Sequence, residues 1–133
     1  MGTGFLSHEE VRGIFGALPI EVTFTDASDR VRFYSDGRLP PVFVRTRTIL
    51  GRNLLYCHPP RLERLVRETL EALKRGEADY KEFWTRIGDR VVRVFISAVR
   101  DEKGRYQGAV EVVEDFTEAL KNPEEVLKKV VVL

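Results

Sequence analysis

Alternating apolar and polar positions near the start of the chain predict a pair of strands. Ile20, Val22 and Phe24 alternate with polar neighbours, which is the period of a half-buried strand. The apolar stretch Val31–Tyr34 predicts a second strand. Asp26–Asp29 lies between them and is rich in turn-forming residues, so the two strands are expected to form a hairpin.

Two segments have helical spacing. Ser7–Glu10 has the pattern of a capping box, and the short helix that it begins is expected to end at Pro19. Residues 42–55 predict only short helical turns. A longer helix is predicted after Pro59–Pro60, because proline is tolerated in a first turn, and Gly76 suits its end. The apolar stripe of this helix consists of Leu62, Leu65, Val66, Leu70 and Leu73.

Three more strands and a short helix follow. The strands are predicted at Tyr80–Ile87, Arg90–Arg100 and Tyr106–Glu114, joined by tight turns. The helix is predicted to begin at Phe116 and to end at Asn122–Pro123. Strands separated by a helical block predict an α+β fold with an antiparallel sheet. Helices must cover one face of that sheet, so any cavity is expected between the sheet and the helices.

Composition narrows the class of protein. The 133 residues suffice for one domain with one core, and the net charge of +1 lacks the basic excess of a dedicated nucleic-acid binder. One cysteine excludes an internal disulfide, and no apolar run approaches the length of a membrane helix. Residues 1–4 do not resemble a secretory signal. We therefore expect a cytoplasmic protein, and the scarcity of Asn and Gln beside many charges is typical of thermophiles.

The end of the predicted sheet resembles the PAS domain family. Val112–Glu118 contains Asp115-Phe116-Thr117, which is similar to the aspartate–apolar–threonine motif that closes many PAS domains, and the hairpin at 101–108 is equally similar. Asp115 can cap the following helix, and Thr117 can fix the angle at which the chain leaves. The resemblance implies a five-stranded antiparallel sheet with helices packed on one face. It places one domain at 1–121, with a short N-terminal helix, and a C-terminal tail at 122–133.

A narrower resemblance points to one bacterial and archaeal subfamily. There, the PAS domain is the C-terminal part of a longer protein with hemerythrin-like helical regions upstream, and Cys57–Pro60 is the most specific match. Those regions are missing here, so the chain is expected to be a fragment or a stand-alone version. The matching segments are Leu18–Phe24, Gly51–Arg52, Cys57–Pro60, Glu82–Trp84 and Ala98–Asp101.

The resemblance implies a sensor and signalling module. A small molecule is expected in a pocket between sheet and helices, and the signal is expected to leave through Asp115 and Thr117. The expected partners are this ligand and a second copy of the chain in a homodimer, with neither nucleic acid nor membrane. The predicted ligand contacts are Phe24, Phe43, Leu54, Cys57, His58, Val94 and Ile96.

Cys57 and His58 support a second hypothesis, a haem or redox sensor. Imidazole and thiolate both bind haem iron, so His58 is a candidate axial haem ligand. In the plainer interpretation, Cys57 is a small apolar residue and His58 bonds the backbone, because two adjacent ligands are too few for zinc. A reactive Cys57 needs exposure, against which its neighbours Leu54 and Leu55 argue. A third hypothesis is a dimerisation module without ligand.

The remaining side chains give weaker signals, and none predicts an enzyme, since no nucleophile turn or phosphate loop is present. Arg93 and Glu111 are expected on one face of the last two strands, as an exposed ion pair or as groups that orient a polar ligand. Phe83 and Trp84 must face opposite sides, one towards the core and one towards a dimer interface. A solvated loop or an anion site is expected at Arg45, Arg47 and Arg52.

Overall fold

Five strands form a single antiparallel sheet in the computed structural model, which describes residues 2–133. The strands are β1 (Glu21–Asp26), β2 (Val31–Ser35), β3 (Tyr80–Ile87), β4 (Arg90–Arg100) and β5 (Tyr106–Asp115). Their order across the sheet is β2-β1-β5-β4-β3, so the first and the last strand of the chain are neighbours. This arrangement confirms the predicted α+β fold.

Four α-helices accompany the sheet among the described residues: α1 (His8–Ala17), α2 (Glu63–Lys74), α3 (Thr117–Lys121) and α4 (Pro123–Leu127). The capping box at the start of α1 is present, with the Ser7 hydroxyl accepting from the Glu10 N–H. Helix α2 begins later than predicted, because Pro60–Leu62 first forms a 3-10 turn. Helix α4 lies in the segment expected to be a tail, and a proline occupies its first turn.

Helix α2 packs across one face of the sheet, called here the inner face. Leu70 and Leu73 of its apolar stripe are buried, whereas Leu65 from the same predicted stripe is exposed. Apolar side chains of β2, β4 and β5 meet the helix and bury area that stabilises the fold. The core cluster and its neighbours include Val31, Leu54, Leu70, Leu73, Ile96, Ala98 and Ala109.

The opposite face, called the outer face, receives α1 and the start of α3. The rings of Phe15 in α1 and Phe33 in β2 are 5.2 Å apart, and the Ser35 hydroxyl donates to the Phe15 carbonyl. At the other edge, the rings of Trp84 and Phe116 are also 5.2 Å apart. The segment that follows the sheet therefore lies across it from α2.

Candidate functional site

Polar side chains interrupt the apolar inner face at the centre of the sheet. The strand register places Thr23 of β1 and Ile96 of β4 on either side of Glu111 of β5. It also places Glu21 opposite Val113. Since paired residues of antiparallel strands share a face, two carboxylates belong to the layer that α2 covers. Neither carboxylate is among the predicted ligand contacts, although Glu111 was considered as a group that could orient a polar ligand.

The first carboxylate, Glu21, is 4% exposed and has several partners. It accepts hydrogen bonds from the backbone N–H groups of Val42 at 2.7 Å and Phe43 at 3.1 Å. Its oxygen lies 3.6 Å from the Arg45 Nη2. A buried carboxylate needs such partners to offset lost hydration. Glu21 therefore holds Phe43, a predicted ligand contact, over the end of the inner face.

Arg45 ties the same loop to β1 and β2. Its Nη1 donates to the Val22 carbonyl at 3.2 Å and to the Thr23 hydroxyl, and its Nη2 donates to Ser35 O and to Asp36. The side chain is 11% exposed, so the prediction of a solvated loop is wrong for Arg45. Its Nε is buried and has no partner within residues 2–133.

The second carboxylate, Glu111, lacks such support. Among residues 2–133, no hydrogen bond or ion pair is found for its side chain. Burial raises the pKa of its carboxyl, as does the charge of Glu21, whereas His58 and Arg45 lower it. The side chain nevertheless keeps some accessible surface. Glu111 is thus a half-buried carboxyl without a hydrogen-bonding partner among the described residues.

The position of Glu111 corrects the predicted Arg93–Glu111 pair. Arg93 lies opposite Glu114 on the outer face and pairs with it at 2.6 Å, and with Glu82 at 3.5 Å. The cause is a β-bulge between Val99 and Arg100, which shifts the register of β4 and β5. A shift of one residue moves every side chain of a strand to the other face, so Glu111 turns inward.

His58 offers an acceptor near Glu111. Its Nδ1 lies 3.0 Å from the Leu54 carbonyl oxygen, which can only accept, so Nδ1 carries the proton and donates. In the neutral ring the Nε2 is then a free acceptor. His58 is part-buried, and in its protonated form it lowers the pKa of the Glu111 carboxyl. The backbone contact expected of His58 is therefore present, and no hydrogen bond to its Nε2 is found among residues 2–133.

Cys57 has the environment of a packing residue. Its side chain lies against the core cluster, and its Sγ is 3.8 Å from the Asn53 carbonyl oxygen. Burial raises the pKa of the thiol, with a smaller opposing effect of Arg52. A thiol of raised pKa is a poor nucleophile at neutral pH. These observations disfavour a redox role for this residue.

Phe24 is separated from the other predicted ligand contacts. It pairs with Phe33 and Val110, which places it on the outer face, whereas Val94 and Ile96 face inward. Leu54 and Ile96 belong to the core or pack against it. Phe24 therefore cannot share a site with Val94 and Ile96. Ligand contact by the other six predicted residues stays a prediction: these are Phe43, Leu54, Cys57, His58, Val94 and Ile96.

Asp115 and Thr117 are bonded to each other and to the sheet. Asp115 accepts from the Thr117 N–H at 2.9 Å, and the Thr117 hydroxyl oxygen accepts from the Val91 N–H at 2.9 Å. Although burial raises it, the pKa of Asp115 is held below its usual range by hydrogen bonds from Thr117 and Arg90. The angle at which α3 leaves β5 is thus set by these two side chains.

Arg90 connects this exit to the loop over the inner face. Its Nε donates to Asp115 at 2.9 Å, and its Nη1 and Nη2 donate to the carbonyls of Pro41 and Pro40 at 3.1 and 3.3 Å. A cleft of about 150 Å³ lies beside these contacts. Residues Val42 and Phe43, next along the loop, are those that Glu21 holds.

The paired aromatic residues of β3 face opposite sides, as expected. Phe83 pairs with Val94 on the inner face, whereas Trp84 is 50% exposed on the outer face. Trp84 is the only tryptophan of the sequence, and its ring contacts Phe116 at the exit. Its fluorescence is therefore a natural reporter of the exit.

The described residues contain neither a metal-binding cluster nor a helix that could span a membrane. No group of three or more His, Cys, Asp or Glu side chains in residues 2–133 is arranged to hold a metal ion. No helix in that part of the chain has both the length and the apolar character needed to cross a membrane.

The comparisons with known proteins agree with this architecture. A crystal structure of a C-terminal domain from Streptococcus mutans is 35% identical over 96% of this chain and 94% of that chain, with a TM-score of 0.81. Two others share the fold at low identity. The PAS domain of a protein from Colwellia psychrerythraea is 12% identical over 83% of this chain and 97% of that chain, with a TM-score of 0.63. A sensory box sensor histidine kinase from Vibrio cholerae is 11% identical over 79% of this chain and 88% of that chain, with a TM-score of 0.54.

No curated protein sequence matches the chain. A family model described as a PAS domain matches residues 11–117, which is most of the described sequence. The chain therefore belongs to the PAS domain family.

Proposed function

We propose that this PAS domain is a sensor module that binds a small molecule at the inner face and signals through α3. The observation that carries the proposal is Glu111, a carboxylate in a covered layer with no partner found among residues 2–133. Leaving a buried polar group unsatisfied costs free energy of folding. Titratable groups with a perturbed pKa occur preferentially at functional sites.

The ligand would touch both polar and apolar groups. Glu111 and the His58 Nε2 supply the polar contacts, and Val94, Ile96 and Leu54 supply the apolar wall. A few polar groups in a mostly apolar lining is the usual make-up of a small-molecule site. Phe43, held by Glu21, would close the site at one end.

Transmission to the exit would follow the loop that covers the site. A ligand that displaces Phe43 also moves Pro40 and Pro41, whose carbonyls are bonded to Arg90. Arg90 holds Asp115, so its rearrangement would alter the angle of α3. Such an element with two arrangements is what a ligand needs in order to shift a population.

Two comparisons support the wider context. The similar Vibrio cholerae structure is that of a sensor histidine kinase, which favours a sensory role for this fold. The Streptococcus mutans structure is that of a C-terminal domain, which supports the proposal that this PAS domain occupies the C-terminal position of a longer protein. The proposal of hemerythrin-like regions upstream rests on the sequence resemblance alone. We also propose a homodimer, whose test is the mass of the purified chain in solution.

The decisive experiment asks whether a molecule occupies the inner site. Native mass spectrometry of the purified chain and a thermal-shift screen of metabolites are expected to identify a ligand. That ligand should change Trp84 fluorescence and should bind less tightly to Glu111→Gln. Glu114→Gln, on the outer face, is the matched control. A chain that carries no ligand and responds to no metabolite would contradict the sensor proposal.

His58 supports haem sensing as a second candidate function. Its Nδ1 bond to the Leu54 carbonyl leaves Nε2 free, as in histidines that ligate a metal through one nitrogen and bond the backbone through the other. The protein incubated with haem should then show a Soret band that His58→Ala removes. A spectrum that equals that of free haem would eliminate this candidate.

A further inference from the structure

An open pocket lies where the loop at residues 51–56 meets the turn between β1 and β2. Its volume is about 580 Å³, and it is lined by Arg30, Gly51, Arg52, Asn53 and Tyr56. Arg30 and Asn53 pair as an isolated antiparallel β-bridge, so two segments that are distant in the sequence form the pocket together. Arg52 was expected in an anion site or a solvated loop with Arg45, whereas the structure places it in one pocket with Arg30.

Hydrogen bonds fix the shape of this pocket. The Val31 N–H donates to the Arg52 carbonyl at 2.9 Å, and the Gly51 N–H donates to the Val31 carbonyl at 2.7 Å. The Arg30 Nη1 donates to the Gly51 carbonyl at 2.9 Å. The guanidinium of Arg30 is therefore held in place before a ligand arrives, which reduces the conformational entropy that binding must remove.

The side-chain groups that remain free in the pocket are mainly hydrogen-bond donors. The Asn53 Oδ1 already accepts from the Leu55 N–H at 3.0 Å, which leaves the two N–H groups of its Nδ2. No hydrogen bond of the Arg52 guanidinium is found within residues 2–133. The Tyr56 hydroxyl is the exception, because it can donate or accept.

The charge of the pocket is positive and unmatched. No carboxylate lines it, and neither Arg30 nor Arg52 forms an ion pair within residues 2–133. The acidic residues of the neighbouring turn, Asp26 and Asp29, pair with other cations at 3.5 and 2.7 Å. Two positive charges that share a pocket repel each other, and a bound anion removes this repulsion.

We propose that this pocket binds a small aromatic oxyanion, that is, a carboxylate or a phosphate group carried on a planar ring. Arg30 and Arg52 bind the oxyanion, because the planar N–H pairs of a guanidinium match two oxygens of a carboxylate or phosphate. The ring lies against Tyr56, whose side chain is 78% exposed and offers an aromatic surface. This site is separate from the proposed site on the inner face and does not depend on it.

The test titrates the full chain with four probes and follows its backbone amide signals by NMR. Phenyl phosphate and benzoate combine a negative charge with a ring, inorganic phosphate has the charge alone, and benzamide has the ring alone. Phenyl phosphate should shift the signals of residues 51–56 and bind about tenfold or more tightly than benzamide, which corresponds to about 1.4 kcal/mol. Inorganic phosphate should bind at the same residues but more weakly. Benzoate should also bind there, and its affinity relative to phenyl phosphate tells which oxyanion the pocket prefers.

Three variants at exposed positions separate a built site from a general effect of charge. Arg52→Gln should weaken phenyl phosphate binding about tenfold or more. Arg86→Gln is the matched control, because it removes the same charge from β3 at the opposite edge of the sheet and should leave the affinity nearly unchanged. Tyr56→Ala should reduce the affinity for phenyl phosphate to that for inorganic phosphate, whose own binding should persist.

Several results would overturn the inference. One is that benzamide binds as tightly as phenyl phosphate, and another is that Arg52→Gln and Arg86→Gln weaken binding equally. Should Arg52→Gln lose its folded spectrum, phenyl phosphate that shifts the native chain only outside residues 30 and 51–56 has the same force. If none of the four probes binds, the anion site is refuted, while the sensor proposal for the inner face is unaffected.

Discussion

Replacing Glu111 by glutamine is expected to stabilise the protein at neutral pH while leaving its shape unchanged. Burial and the charge of Glu21 raise the pKa of this carboxyl. The folded state then binds the proton more tightly than the unfolded chain does. The free energy of unfolding contributed by Glu111 is therefore fully present below the unfolded-state pKa and is lost as pH rises towards the folded-state pKa.

The magnitude follows from linkage. A difference of one bound proton gives a slope of at most about 1.4 kcal/mol per pH unit across that window. For a chain of 133 residues, a change of that size moves the midpoint of thermal unfolding by roughly 3–8 °C. Glutamine has no proton to lose, so the variant should become the more stable protein as pH increases.

Urea unfolding of both proteins over a range of pH measures this difference. The difference in free energy of unfolding should be constant in acid. As pH rises above the usual pKa of glutamate, the difference should change in favour of Glu111→Gln, and at still higher pH it should level off. Glu114→Gln is the control because Glu114 is paired with Arg93 on the outer face. The free energy of unfolding of Glu114→Gln should fall by no more than about 1 kcal/mol, and it should not rise relative to the wild type at higher pH. A difference that is independent of pH, or that increasingly favours the wild type, would refute the reasoning.

Three further outcomes are expected. Leu73→Ala, at a fully buried position on the sheet-facing side of α2, should lower the free energy of unfolding by about 2–5 kcal/mol in urea titration. A loss below about 1 kcal/mol would mean that α2 does not cover the core. Arg90→Ala should change ligand affinity by no more than about threefold, since Arg90 lies outside the predicted ligand contacts. The same variant should abolish the ligand-induced change in Trp84 fluorescence, and an unchanged signal would contradict the role of the Arg90–Asp115 link. Cys57 should react slowly with iodoacetamide in the folded protein, because burial raises the pKa of its thiol. Mass spectrometry measures the reaction, and a rate as high as in urea would contradict the buried environment.

Much of the fold was predictable because each element carries its own periodic signal. The stripe that includes Leu70 and Leu73 predicted the helix that covers the sheet, and both residues are buried. The last two strands were located within a residue of their observed bounds, since turn residues flank alternating apolar runs. These signals are local, so they survive without knowledge of the tertiary structure.

The site was harder to predict because it depends on register and on which face is covered. Alternation in β1 suggested that Val22 and Phe24 face the helix that covers the core, yet Thr23 and Thr25 lie on the α2 side. Both faces of β1 are largely covered, so alternation alone does not tell which face meets α2. Glu111 was assigned to the wrong face because a bulge shifts β5 by one residue. The clearest trace of this shift in the sequence is Gly108, whose φ of +150° and close approach to β1 exclude a side chain.

The proposed ligand site and the exit of the chain lie on opposite faces of the sheet, and this separation limits how a signal can travel between them. The proposed ligand lies on the inner face, whereas Trp84 and Phe116 meet at the exit on the outer face. A β-sheet is packed and hydrogen-bonded along its length, so a ligand on one face does not simply push a group on the other. The path left is around the end of the strands, where Arg90 contacts both the covering loop and Asp115. A rearrangement of this loop can then reach α3 without any change in the sheet. Arg90 binds the loop through two side chain-to-backbone hydrogen bonds and binds Asp115 through a side-chain ion pair, and these contacts can reform one at a time.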